Sequence, residues 1–286
     1  MNERAYDVVT ERVLSLLESG VCPWRRPWDE RLSGGVANLV SGRSYSGVNA
    51  LLLPAFGYAS RFWLTFKQAR ELGGRVRAGS KAAPVVFWKF LEREQDGKRR
   101  TIPLLRYFSV FNAEQVDGLP VKALERWEVA RPVFEPLAEC EKMVAGYASG
   151  PKVDHVGSRA CYLPSLDVVR MPARESFETV PTYYSTLFHE LGHSTGHASR
   201  LDRKLKNAFG SDDYGREELV AEMTAAFLGD RAGIGSDCVA LSASYLDSWI
   251  RTIRTDRRAV VVAAGAAQKA ANLILGATVA EQREAA

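Results

Sequence analysis

The chain has 286 residues, of which 46% are hydrophobic and 25% charged, with a formal net charge of +4. That is a globular composition, long enough for two domains. No run of eighteen apolar residues occurs, which excludes a membrane span, and the charged start Met1-Asn2-Glu3-Arg4-Ala5-Tyr6-Asp7 has no apolar segment behind it, which argues against a secretory signal. The four cysteines, Cys22, Cys140, Cys161 and Cys238, form no CxxC pair. They read as reduced thiols of a cytoplasmic protein.

Residues 3–19 carry Ala5, Val8, Val9, Val13, Leu16 and Leu17 at close to helical spacing, and Gly20 is placed to end that helix. The segment Cys22-Pro23-Trp24-Arg25-Arg26-Pro27-Trp28 cannot continue it, because neither proline has an N–H to donate. Thr65-Phe66-Lys67-Gln68 predicts a helix start with Thr65 as N-cap and Gln68 closing a capping box, and Gly73-Gly74 stops the helix. Pro84 to Leu91 predicts a strand, Glu92 to Arg100 a charged turn, and Ile102 to Phe111 a second strand. From Val116 to Pro136, three prolines and alternating charges predict a linker. Beyond it come a helix at 136–149, strands at Lys152–Val156, Ala160–Leu163 and Asp167–Met171, and a helical run from Tyr183 to His197. A loop at 198–214, a helix at 215–230 and alanine-rich helices from 239 to 276 follow.

Charge is uneven. Residues 1–130 hold 20 basic and 14 acidic side chains, and residues 131–286 hold 18 and 20. A basic first half places any polyanion binding there. Single-stranded DNA is held by cations for its phosphates and aromatic faces for its bases. The tryptophans Trp24, Trp28, Trp63 and Trp88 of this half, four of the six in the chain, are the candidate stacking faces, each with Arg or Lys close by. Trp24-Arg25-Arg26-Pro27-Trp28 is the strongest candidate, and Trp88, on a strand, the weakest. Arg43, Asn49, Lys67, Gln68, Arg75, Lys81 and Lys89 are the further candidate contacts, whereas Arg99 and Arg100 fit a solvated turn.

His189-Glu190-Leu191-Gly192-His193 is an HExxH motif. On a helix its two imidazoles share a face and can grip one metal ion, while Glu190 is placed to take a proton from water at that ion. A third protein ligand is required. His197 follows Gly196 immediately, two residues short of the HExxHxxGxxH spacing. The alternative is a glutamate from a following helix. Glu218 and Glu222 share one face there, and Glu218 is preferred because the first acid of such a segment is the ligand in thermolysin-like enzymes. Glu217 and Glu222 are the alternatives. The ion would be one divalent metal, zinc first, with manganese compatible.

Taken together, these segments resemble the ArdC family of plasmid antirestriction proteins, itself related to the N-terminal part of TraC-type plasmid primases. In the first half the resemblance rests on Leu17 to Gly20, Pro23 to Trp28, Ser41 to Asn49, Trp63 to Ala69, Gly73 to Val76 and Val85 to Lys89. In the second half it rests on His189 to Arg203, Glu217 to Leu228 and Ser244 to Trp249. It implies an α+β protein of two domains: a single-stranded-DNA-binding domain at 1–118, a linker at 119–135, and a zincin-like domain of the SprT-like type, with a small sheet, at 136–286. It further implies protection of incoming conjugative DNA from host restriction. A DNA-tethered metalloprotease that cleaves a host protein is the rival reading. A primase fragment is disfavoured, because no phosphate-cradling glycine loop or acidic triad is evident.

Overall fold

A computed structural model describes residues 3–19, 22–23, 35–95, 98–125, 136–177, 179–203, 205, 212–234 and 243–277. In chain order the first half holds α1 (Glu3–Glu18), β1 (Ala37–Asn38), α2 (Val48–Leu52), β2 (Phe62–Thr65), α3 (Phe66–Glu71), β3 (Arg75–Val76), β4 (Ala83–Gln95), β5 (Lys98–Asn112), β6 (Val116–Asp117) and α4 (Val121–Glu125). The second half holds α5 (Pro136–Gly146), β7 (Lys152–His155), β8 (Cys161–Leu163), β9 (Val168–Met171), α6 (Val180–Ser194), α7 (Asp212–Ala232), α8 (Ala243–Thr255) and α9 (Ala259–Ile274). The α+β class expected from the sequence is the class observed.

The first half is built on a four-stranded sheet in the order β1-β2-β5-β4, with β1 parallel to β2 and the other pairs antiparallel. The expected capping box is present: Thr65 Oγ1 accepts from the Gln68 N–H at 3.2 Å and Gln68 Oε1 accepts from the Thr65 N–H at 2.8 Å. Gly73, at φ 81°, then takes the left-handed conformation that ends α3.

The charged segment expected as a turn is instead strand, paired as far as Gln95 opposite Lys98. The register sets Glu94 opposite Arg99. In the sequence the shorter signal is Asp96-Gly97, a dipeptide favoured in two-residue hairpin turns. Within the expected linker, Val116–Asp117 pairs with β3, and Val121–Glu125 is helical.

The second half carries a three-stranded sheet in the order β7-β9-β8, with α6 packed on β8 and β9 and α7 packed on α6 and α9. Tyr183, Tyr184, Leu187, Phe188 and Leu191 fill one side of α6 and bury against Val169 and Met171 of β9 and Met143 of α5. The two halves share a core. Val9, Val13 and Leu17 of α1 cluster with Leu219 and Met223 of α7, Trp249 and Ile253 of α8, and Val260 and Ala264 of α9. Leu52 of α2, Val86 of β4 and Leu105 of β5 join the same cluster.

Candidate functional site

Thr179 caps α6, its Oγ1 accepting from the Thr182 N–H at 3.2 Å, and fourteen residues later the helix ends in the HExxH motif. His189 and His193 point the same way from successive turns, their rings 4.7 Å apart and nearly perpendicular, with the two Nε2 atoms 3.1 Å apart. Gly192 faces α7. A Cβ there would lie 3.2 Å from Ala221 Cα and 3.3 Å from Ala221 O. A side chain at 192 would push α7 away, so this glycine sets the close approach that brings the acids of α7 to the histidines.

Those acids sort themselves by reach. Glu218 lies between the rings, with Oε2 3.6 Å from His189 Nε2 and Oε1 3.5 Å from His193 Nε2. Glu217 meets the opposite nitrogen of His193, with Oε1 3.3 Å from Nδ1. Glu222 does the same for His189, with Oε1 3.5 Å from Nδ1. Ligand atoms of His189, His193 and Glu218 lie within 4.8 Å of one another. Two imidazole nitrogens and a carboxylate, with both outer ring nitrogens facing carboxylates, suit a divalent transition metal. His197 lies past the end of α6, where its Nδ1 pairs with Ser199 Oγ at 2.8 Å, outside this group.

A second layer holds the acids in place. Arg203 donates to both oxygens of Glu217, at 2.8 and 3.0 Å, and also to Thr195 Oγ1 and to Gly192 O. Burial opposes the protonation of His193, yet the hydrogen bond to Glu217 and the nearby Glu218 and Glu190 carboxylates raise its pKa to about 8. Burial likewise works against the Glu217 carboxylate, but His193 and Arg203 hold it below the usual range. Glu190, 8% exposed, accepts from the backbone N–H of Tyr162 at 2.7 Å, which ties it to β8, an edge strand of its sheet. Tyr162 is itself fixed: its hydroxyl donates to Asp167 at 2.7 Å, and Arg200 bonds both. Sequence reasoning missed the roles of Tyr162 and Arg203, because both depend on distant segments, a strand and the chain past the end of α6, packing onto the helix.

The candidate DNA contacts are scattered. Trp24, Arg25, Arg26 and Trp28 lie outside the described residues, as do the side chains of Lys89, Arg99 and Arg100. Trp63 is 1% exposed, packed edge-on to Phe56 and Tyr58, and offers no face to a base. Asn49 is 4% exposed and pairs both ways with the Val86 backbone, at 2.7 and 2.8 Å. Both expectations are corrected: burial turns the tryptophan into core and the asparagine into a brace between α2 and β4. Lys67, Arg75 and Lys81 are exposed, Lys67 in an ion pair with Glu71.

Arg43 and Gln68 come together in a cleft of about 330 Å³ with Asn38, Tyr45, Phe87 and Phe108. Those last four were not singled out from the sequence. On the hairpin, Val86 and Leu105 face α1, and Trp88 meets Tyr6 with ring centroids 6.3 Å apart. The alternate positions Phe87 and Phe108 point to the other face and stay 39% and 47% exposed, their rings 5.9 Å apart. Tyr45 continues the wall, 6.2 Å from Phe87.

The family model for the N-terminal domain of anti-restriction factor ArdC matches residues 3–111, and that for a zincin-like metallopeptidase matches residues 138–266. A DNA primase TraC of Escherichia coli is 39% identical over 94% of this chain, which spans 27% of that protein's length; a second one of 36% identity is spanned over 20%. The chain thus covers about a quarter or less of those two relatives. The uncharacterized protein y4eC of Sinorhizobium fredii is 35% identical, covering 93% of this chain and 90% of its own. The crystal structure of antirestriction ArdC protein from the R388 plasmid, metal-free, superposes with a TM-score of 0.75 at 35% identity, covering 98% of this chain and 97% of that one. A Mn(II)-bound structure of the same protein matches equally.

Proposed function

Because the chain belongs to the ArdC antirestriction family and carries a zincin-like domain, we propose that it binds single-stranded DNA through its first half and protects incoming conjugative DNA from host restriction. The observation that carries this reading is the open aromatic face of β4 and β5 beside Arg43, in a half of the chain with net charge +6. Unpaired bases expose faces that rings can stack on, and duplex bases do not. Lys67, Arg75 and Lys81, with Arg25 and Arg26, are the phosphate contacts of this reading, and Trp24 and Trp28 add stacking faces. The protein acts in the cytoplasm, where restriction acts. Among the described residues no helix is long and apolar enough to cross a membrane.

A second reading, cleavage of a host protein, is favoured by the completeness of the His189–His193–Glu218 group beside Glu190. Those three side chains would hold one divalent ion, zinc by donor type, with manganese suiting the same set. When bound, the ion supplies Lewis-acid polarisation of a peptide carbonyl and lowers the pKa of a water. Glu190 takes the proton from water and returns it to the leaving amine. Glu217 and Glu222 hold the two rings in orientation through their Nδ1 atoms. The Tyr162 N–H keeps Glu190 against the edge strand.

Glu190→Ala separates the two. The full-length variant should keep its affinity for single-stranded DNA and still protect a transferred plasmid in a restricting recipient. Loss of protection at unchanged DNA affinity transfers the function to the peptidase reading. Failure of the wild type to bind single-stranded DNA removes the first reading.

A further inference from the structure

We infer that the cleft between the β1 turn and the β4–β5 hairpin is a pocket for one nucleobase unstacked from a bound strand, with the base lying on Phe87 and Phe108 and an adjoining phosphate on Arg43. The inference rests on the DNA-binding reading and narrows it to one site. A cavity of about 330 Å³ lies within the size range of small-molecule sites, about 300–1,000 Å³. Its apolar wall is not a frayed edge. The opposite face of the same hairpin is covered by α1, so Phe87 and Phe108 are left uncovered on an ordered sheet. The turn that carries Arg43 is held as well: Asn38 N–H donates to Arg43 O at 2.9 Å, and Ala37 bridges Ser44.

The polar floor has a direction. Asn38 Nδ2 donates to Gln68 Oε1 at 3.1 Å, and Gln68 Oε1 also accepts from the Thr65 N–H at 2.8 Å. Asn38 Oδ1 accepts from the N–H groups of Val40 and Ser41 and from Ser41 Oγ. The amide oxygens are therefore taken. Besides the hydroxyls of Ser44 and Tyr45, what the floor offers a ligand is N–H: the second amide hydrogen of Gln68 Nε2, and the Arg43 guanidinium, which has no ion pair among the described residues. Donors match the carbonyl oxygens of a keto base and the oxygens of a phosphate. Thymine presents O4 and guanine O6 where adenine presents an amino donor, so a keto base fits better. An acidic or strongly apolar partner would leave either the guanidinium or the rings without a counterpart.

The test uses the full chain. A DNA oligomer carrying 5-iodouracil is photo-crosslinked to the wild type, and the adduct is mapped by mass spectrometry; it should fall on Tyr45, Phe87 or Phe108. Adducts confined to other residues overturn the pocket while leaving DNA binding in place. In parallel, affinity is measured for an oligothymidylate and for an abasic oligomer of equal length. Phe87→Ala/Phe108→Ala, checked for folding by circular dichroism, should lose roughly 5- to 150-fold for the oligothymidylate, the range that one stacked base supplies. Its affinity for the abasic strand should not change. Arg43→Ala should weaken both alike. An otherwise abasic strand with one thymine should bind more tightly than one with one adenine, and the reverse order overturns the donor floor. If the wild type binds neither oligomer, the DNA-binding reading fails and the pocket with it.

Discussion

At the scale of single residues, three neighbouring glutamates of one helix occupy two kinds of position. Glu218 faces the Nε2 atoms of both histidines, and Glu217 and Glu222 face the Nδ1 atoms. Their positions at i, i+1 and i+5 make them look alike in the sequence; only the register of α7 against α6, set by Gly192 on Ala221, separates them. Glu218→Ala should therefore abolish stoichiometric metal binding, as should His193→Ala. Glu217→Ala and Glu222→Ala should each weaken it by about 10- to 100-fold, as loss of a group that orients a ligand does. Metal titration by calorimetry decides, and a Glu218→Ala variant with wild-type affinity refutes the ligand assignment. Asp167 gives a pH prediction. The Arg200 hydrogen bond, opposed by partial burial and aided by the Tyr162 hydroxyl, holds its carboxyl below the usual range. A depressed folded pKa stabilises the protein above the ordinary value of about 3.9 and ceases to do so as pH falls through the folded value. Asp167 sits at φ 50°, which asparagine tolerates, so Asp167→Asn removes the charge and keeps the turn. Thermal melts should show the wild type ahead of the variant at neutral pH and down to about pH 4, with the gap closing only below that.

At the scale of elements, legibility followed locality. The HExxH helix, the capping box at Thr65 and the three short strands before α6 are written in contiguous residues, and each appears within a few residues of its expected place. For the third candidate ligand the sequence preferred Glu218 over Glu217 and Glu222, but which ring nitrogen each acid faces was not legible, because that depends on two helices packing. Trp63 was misread because the apolar residues packed around it in space, not its arginine neighbour in sequence, decide its burial. Phe87 and Phe108 were overlooked for the converse reason: they share a face only through the β4–β5 register, which sets Val85 opposite Phe108. The contrast is testable. Trp63→Ala should cost about 3–5 kcal/mol in urea unfolding, as large core truncations do. Any loss of DNA affinity should then track the unfolded fraction, and impaired DNA binding by a variant of wild-type stability would return Trp63 to the interface.

At the scale of the molecule, the sequence suggests two domains joined by a linker, and two family models divide the chain in the same sense. The core does not follow that division. Helix α1 comes from the first half, yet its apolar side closes over α7, α8 and α9 as well as over Val86 and Leu105 of the hairpin. Gln268 of α9 also accepts from the Gly47 N–H ahead of α2 at 3.1 Å. A buried surface shared in this way couples the two lobes, so neither can lose its packing without exposing apolar surface on the other. Metal binding should reveal the coupling. The three-residue group sits wholly on α6 and α7, but an ion held only by the folded state stabilises whatever unfolds together with those helices, by about 2.7 kcal/mol at a hundredfold excess over its dissociation constant. With saturating metal, slow amide hydrogen exchange should gain protection in β4 and β5 by the same increment as in α6. A single thermal transition should move upward as one. Chelation should reverse both effects. If the amides of β4 and β5 exchange at the same rate with and without metal, or if the melt resolves into one metal-sensitive and one metal-insensitive step, the lobes unfold independently and the shared core is too weak to join them.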